Sequence, residues 1–180
     1  MKTTDFLPEL GSVVADNLQS IPDFPEPGVL FRDMAPLLAN AEAFNQLVSG
    51  LAEYYIGKVD MVAGLESRGF LLAAPLAAVA NIGMIMVRKA GKLPGKIIGV
   101  NYALEYGTAR LELQPDTVPD GAKVLIIDDV LATGGTAAAS VNLIRQAGGE
   151  VAEFAVLMEL TDLGGRAKLP GVNVRSLLQL

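Results

Sequence analysis

Val124-Leu-Ile-Ile-Asp-Asp-Val-Leu-Ala-Thr-Gly-Gly-Thr136 is the stretch on which the fold turns. Four apolar residues run into two acids, and a Gly-Gly pair flanked by threonines follows. The pattern predicts a buried strand over Lys123–Ile127 and a polar turn over Asp128–Thr136. A helix is then expected over Ala137–Ala147, stopped by Gly148-Gly149, with a second strand over Val151–Met158. Strand, helix and strand in this span imply a right-handed βαβ crossover and a parallel sheet. Ligands of such sheets bind at the C-terminal strand edge, where this turn sits. Gly134-Gly135 lets backbone amides approach an anion closely. Thr133 and Thr136 add hydroxyl donors, and the helix presents its positive N-terminus. The segment therefore suits a phosphate dianion beside two carboxylates. A plain turn with a threonine cap is the competing reading, and the paired acids weigh against it.

Outward from this unit the elements alternate. A helical stripe runs through Phe6, Leu10, Val13, Val14 and Leu18. Ile21–Gly28 carries three prolines, which fix φ and remove donors, so a stiff surface segment without regular structure is expected there. An amphipathic helix spans Ala41–Tyr55. Strands are expected at Asp60–Leu65 and Gly83–Val87, with a helix over Phe70–Ala80 between them. Ile97–Glu105 and Ala109–Leu113 read as an antiparallel ribbon. The expected architecture is α/β: an open, mainly parallel central sheet flanked by helices, in one domain over residues 1–180.

Composition narrows the chemistry. The 180 residues include neither His nor Cys, which excludes a Ser-His-Asp triad, a thiol nucleophile and an ordinary zinc site. A net charge of −6 argues against a general nucleic-acid binder. The start of the chain has Asp5 and no apolar signal region, and Phe70–Val87 is broken by Pro75, Asn81 and Gly83, so no membrane partner is expected. A strand ending in Asp-Asp also looks like a Walker B element. That reading needs G-x-x-x-x-G-K-[ST], and Gly91-Lys92 is followed by Leu93.

The Val124–Thr136 segment resembles the phosphoribosyl pyrophosphate (PRPP) signature of the type I phosphoribosyltransferases. The resemblance extends over nearly the whole chain, through Ile21–Asp33, Ala63–Phe70, Val87–Gly95, Leu104–Gly107 and Leu163–Leu169. The Pro-rich segment and Leu104-Glu-Tyr-Gly107 resemble the adenine branch of that family. The resemblance implies a purine-salvage reaction with Mg²⁺: adenine and PRPP give AMP and pyrophosphate through an oxocarbenium-like transition state.

By the same resemblance, Ala132, Thr133, Gly134, Gly135 and Thr136 would hold the 5′-phosphate. Asp128 and Asp129 would lie beside the ribose, able to orient metal-bound water while PRPP itself carries most of the Mg²⁺ contacts. Ser67, Arg68, Arg88, Lys89 and Lys92 would meet pyrophosphate, in their own subunit or across an interface. Glu105 would handle the purine proton. A small hood, residues 20–35, would place Leu30, Phe31 and Arg32 over adenine. Each group also has an ordinary reading. Glu66–Gly69 can be a solvated turn, the basic loop a solvated charge cluster, Glu105 a surface charge and Phe31 a core aromatic. A homodimer is expected from the apolar excess and the family, and a cytoplasmic location fits the cysteine-free chain. A PRPP-sensing regulator would need a nucleic-acid-binding element, and no helix-turn-helix extension is evident.

Overall fold

The computed structural model describes residues 1–103 and 107–180. Its elements, in chain order, are β1 (Lys2–Thr3), α1 (Pro8–Asp16), β2 (Gln19–Pro22), β3 (Leu30–Asp33), α2 (Ala35–Ala39), α3 (Ala41–Tyr55), β4 (Met61–Leu65) and α4 (Arg68–Ala80). They continue with β5 (Gly83–Lys89), β6 (Ile98–Ala103), β7 (Thr108–Leu113), β8 (Lys123–Leu131), α5 (Gly135–Gln146), β9 (Glu150–Glu159) and β10 (Val174–Gln179).

Eight strands make one sheet in the order β1-β10-β9-β8-β4-β5-β7-β6, and β2 and β3 form a separate hairpin. The middle of the large sheet, β10 through β5, is parallel. Its edges are antiparallel, with β1 on one side and the β7–β6 ribbon on the other. This is the mainly parallel α/β architecture expected from the sequence.

β8 explains the layering. Val124, Leu125, Ile126 and Ile127 are essentially inaccessible, so the strand is covered on both faces. Leu125 and Ile127 pack with Leu47 and Leu51 of α3 and Leu72 and Leu76 of α4. Val124 and Ile126 face the other way, toward Val141 and Ile144 of α5. Burial of each such side chain stabilises the fold by about 1.5–3 kcal/mol. α3 starts where the Asn40 side chain accepts a hydrogen bond from the Ala43 N–H at 3.2 Å. α4 lies unusually close to the sheet. A Cβ on Gly69 would stand 2.7 Å from the Ile127 carbonyl oxygen, so glycine there lets the start of α4 reach β8.

Several boundaries differ from expectation. β8 does not end at Ile127. Asp128, Val130 and Leu131 continue the ladder to Val156, Met158 and Glu159 of β9, so both acids lie within the strand. Apolar Val130 and Leu131 extend the buried strand past the acids. The Pro-rich segment is also not wholly irregular, because Ile21 and Pro22 pair with Phe31 and Leu30. The ribbon joins the main sheet through Arg88–Glu112 and Lys89–Leu111. α1 starts at Pro8 and stops at Asp16, short of Leu18. β1, α2 and β10 were not expected, since none carries a long periodic pattern.

Candidate active site

The chain leaves β8 at Leu131, turns through Ala132–Gly134 and enters α5. Gly134 occupies the N-cap with φ 79°, a left-handed conformation that favours glycine, and no side chain caps the helix. The first-turn N–H groups have no preceding carbonyl to bond and open toward a cavity of about 470 Å³. Asp128 through Ala137 form one side of that cavity. Glu66, Ser67 and Arg68, at the junction of β4 and α4, form another, with Lys89 and Tyr102 contributed by β5 and β6.

Paired acids sit at the cavity's inner wall. Arg68 Nε is 3.0 Å from Asp129 Oδ2, whose side chain is almost fully buried. The two groups attract, but the N–H is not aligned for a hydrogen bond. Asp129 Oδ2 is the one buried side-chain polar atom without a hydrogen bond among the described residues. The Asp129 N–H donates to Asp128 Oδ1 at 2.9 Å. Burial, reinforced by the Asp129 charge, pushes the Asp128 carboxyl well above the usual carboxylate range. Burial also raises Asp129, while the Arg68 charge pulls it back.

The expected cations divide. Ser67, Arg68 and Lys89 line the cavity, whereas Arg88 and Lys92 do not. Arg88 instead donates to both Glu66 carboxylate oxygens, at 3.3 and 3.2 Å, and to the Lys92 carbonyl at 3.0 Å. The Lys89 N–H also donates to Glu66, at 2.9 Å. Burial pushes the Glu66 carboxyl up, but these donors outweigh it and hold it below its ordinary value.

A smaller cavity of about 160 Å³ adjoins the first and is lined by Leu30, Phe31 and Arg32. Arg68, Asp129 and Val130 line both cavities, so they form the shared partition. Phe31 is held edge-on by Phe24 at a 5.2 Å centroid separation, and the Arg68 guanidinium lies 5.4 Å from its ring centre. Arg32 donates to the Ser20 hydroxyl across the hairpin.

Glu105 lies outside the described residues. Sequence reasoning did not single out Glu66 as a site residue, although its place at the end of an apolar strand beside Ser67 and Arg68 was a usable signal. It also missed Tyr102, Leu111 and Phe154, which line the main cavity only because the sheet order brings their strands there. Among the described residues, no group of three or more Asp and Glu side chains is placed to hold a metal ion. No helix among them is long and apolar enough to cross a membrane.

Residues 35–171 match the model of the phosphoribosyl transferase domain. The adenine phosphoribosyltransferase of Clavibacter michiganensis subsp. michiganensis is 51% identical over 93% of this chain and 95% of its own length. The crystal structure of the Thermoanaerobacter pseudethanolicus adenine phosphoribosyltransferase superposes with a TM-score of 0.89 at 44% identity, covering 94% of this chain and 99% of that one. The Saccharomyces cerevisiae enzyme, solved with adenine and an imino-altritol bisphosphate, gives a TM-score of 0.89 at 39% identity over 94% of this chain and 99% of that one. Sequence and backbone agree over almost the full length of each partner, and on that ground this chain belongs to the adenine phosphoribosyltransferase family.

Proposed function

We propose that the chain transfers the phosphoribosyl group of PRPP to adenine, giving AMP and pyrophosphate. The partition formed by Arg68, Asp129 and Val130 carries this reading, because it sets a phosphate-suited cavity against an aromatic-lined one. The yeast relative's complex with adenine and a bisphosphate supports the same pairing of ligands.

In this reading Ala132–Thr136 bind the 5′-phosphate through backbone N–H groups and the Thr133 and Thr136 hydroxyls. Asp128 and Asp129 accept hydrogen bonds from the ribose hydroxyls. As the anomeric C–O bond to pyrophosphate breaks, their negative charge stabilises the positive charge that builds on the ribosyl ring. Ser67, Arg68 and Lys89 receive the leaving pyrophosphate. Arg88 and Lys92 join them once Arg88 leaves Glu66. Adenine stacks on Phe31 of the β2–β3 hairpin, within the 20–35 hood, with the backbone of Leu30 and Arg32 reading its edge. A ring nitrogen of adenine forms the new C–N bond and loses its proton to Glu105.

The donor set suits magnesium carried by PRPP. Two adjacent carboxylates with one orphaned oxygen can orient metal-bound water, and among the described residues no protein cage competes with the phosphates. Bound magnesium supplies charge neutralisation to the pyrophosphate.

The working unit in this reading is a homodimer within the cytoplasm. Leu71 and Val79 of α4 and Met86 of β5 are 46%, 54% and 46% exposed. Met86 shares a sheet face with Met84, which packs into the α4 side of the core, so the three lie on one side of the sheet. Such an apolar face supports contact with a second copy. Steady-state assays of adenine, guanine, hypoxanthine and xanthine with PRPP and Mg²⁺ test the reaction. Adenine should be the preferred acceptor, and turnover of another purine without adenine turnover would refute the assignment.

A further inference from the structure

The phosphate turn is braced from behind by a second turn that the preceding roles leave unused. After β9, two short 3-10 segments, Thr161–Leu163 and Gly165–Lys168, fold across the end of β8. Leu160 N–H donates to the Leu131 carbonyl at 2.9 Å, the last residue before the phosphate turn. Gly164 turns the chain at φ 62°, and Gly165 then meets the phosphate turn backbone to backbone. A Cβ on Gly165 would overlap the Ala132 carbonyl oxygen and stand 2.9 Å from the Gly134 nitrogen. A Cβ on Gly134 would in turn overlap the Gly165 carbonyl oxygen. Two glycines therefore face each other where neither position has room for a side chain.

One ion pair sets the height of this brace. Arg166 donates through Nε to Glu159 Oε1 at 2.8 Å and through Nη2 to Glu159 Oε2. Its remaining arm, Nη1, reaches the Val174 carbonyl at 2.8 Å. Glu159 is buried, receives Ser176 Oγ at 3.0 Å, and pairs in register with Leu131. The Arg166 hydrogen bond keeps its carboxyl below the ordinary range, so the pair stays charged at neutral pH. A planar guanidinium gripping a carboxylate with two parallel bonds fixes direction as well as distance.

We infer that Gly165 and the Arg166–Glu159 pair act as positioning residues for the 5′-phosphate subsite. They hold the Ala132–Gly134 backbone so that its N–H groups converge on the phosphate. This rests on the proposed reading of that turn, but the brace is a separate device. Glu159, Gly165 and Arg166 line neither cavity, although Leu160 beside the pair lines the smaller one. Loosening it should therefore damage capture of 5′-phosphorylated ligands selectively.

Arg166→Ala should raise the KM for PRPP and the Kd values for AMP and ribose 5-phosphate about tenfold, since small misplacement of a preorganised site carries a large binding loss. The KM for adenine and kcat at saturating PRPP should stay near the parent values. Arg166→Lys should fall between the two, because an ammonium keeps the charge and loses the two-pronged geometry. Gly165→Ala should give the same selective loss by pushing on Ala132. If Arg166→Ala does not fold, Arg166→Lys and Glu159→Gln give the same comparison with smaller disturbance. Unchanged ribose 5-phosphate affinity in every folded variant would overturn the inference. So would parallel losses in adenine KM and kcat, the mark of general damage. Calorimetry with ribose 5-phosphate needs no turnover. A parent protein that binds it but does not convert adenine would sink the proposed reaction while leaving the brace testable.

Discussion

Arg68 Nε stands 3.0 Å from Asp129 Oδ2 and joins the first residue of α4 to β8. The contact is also the wall between the two cavities, so a change there reaches both. Arg68→Ala would leave a buried carboxylate without its counter-charge. A stability loss of about 1–3 kcal/mol is expected, less than for a fully enclosed pair because Arg68 stays partly solvated. Pyrophosphate affinity should fall in parallel. Urea unfolding and pyrophosphate titration would check both, and undiminished affinity would remove Arg68 from the leaving-group role.

Asp128 predicts a trade between stability and activity. Its carboxyl is raised in the folded protein by burial and by the Asp129 charge. Between the unfolded value, about 3.9, and that raised value, the folded state binds more protons than the unfolded state. Stability therefore falls as pH rises through this window. Asp128→Asn keeps an oxygen for the Asp129 N–H and removes the penalty. Its Tm should exceed the parent's at pH 7 and lose that advantage below about pH 4, while turnover drops. Thermal melts across pH would decide it, and a lower Tm at neutral pH would contradict the account.

Phe31 should matter to the base alone. Stacking of a base on an aromatic ring contributes about 1–3 kcal/mol. Phe31→Ala is expected to raise the adenine KM by about tenfold or more and leave the PRPP KM nearly unchanged. Equal increases in both would show that the hairpin, and not stacking, had been disturbed.

Glu105→Gln should lower kcat by about a hundredfold, the range for a lost proton acceptor, with little change in PRPP affinity. Single-turnover rates alongside PRPP binding would separate the two effects. Matched losses would make Glu105 a binding residue.

The apolar face predicts a mass. The parent should sediment as a dimer at micromolar concentration. Leu71→Asp combined with Met86→Asp should shift it toward monomer, because two charges would be buried without partners. A parent that sediments as monomer would refute the proposed assembly.

The alternation of buried strands and helices was legible because β8 and α3 carry long apolar patterns, and Gly148-Gly149 punctuates one of them. The turn from β8 into α5 was legible because glycines and threonines are contiguous in the chain. What escaped was set by tertiary contact. Apolar Val130 and Leu131 follow the acids, but what carries β8 past Ile127 is its ladder to β9. The pairing of Arg88 with Glu66, more than twenty residues away in sequence, has no local signal. In the sequence Gly165 stands only within Leu163–Leu169, one of the strings that carry the family resemblance. Its physical reason, an approach to Ala132 and Gly134 too close for a Cβ, exists only after folding.

β8 is sandwiched between β9 and β4 and covered on both faces, whereas the 19–33 hairpin is paired only with itself. Amide exchange separates such regions. Hydrogens around Asp128 and Asp129 should exchange only through opening that approaches global unfolding, and those of the hairpin through a much cheaper local event. In the proposed reading a base would enter and a nucleotide leave by parting the hairpin, while the two carboxylates keep their positions from one turnover to the next.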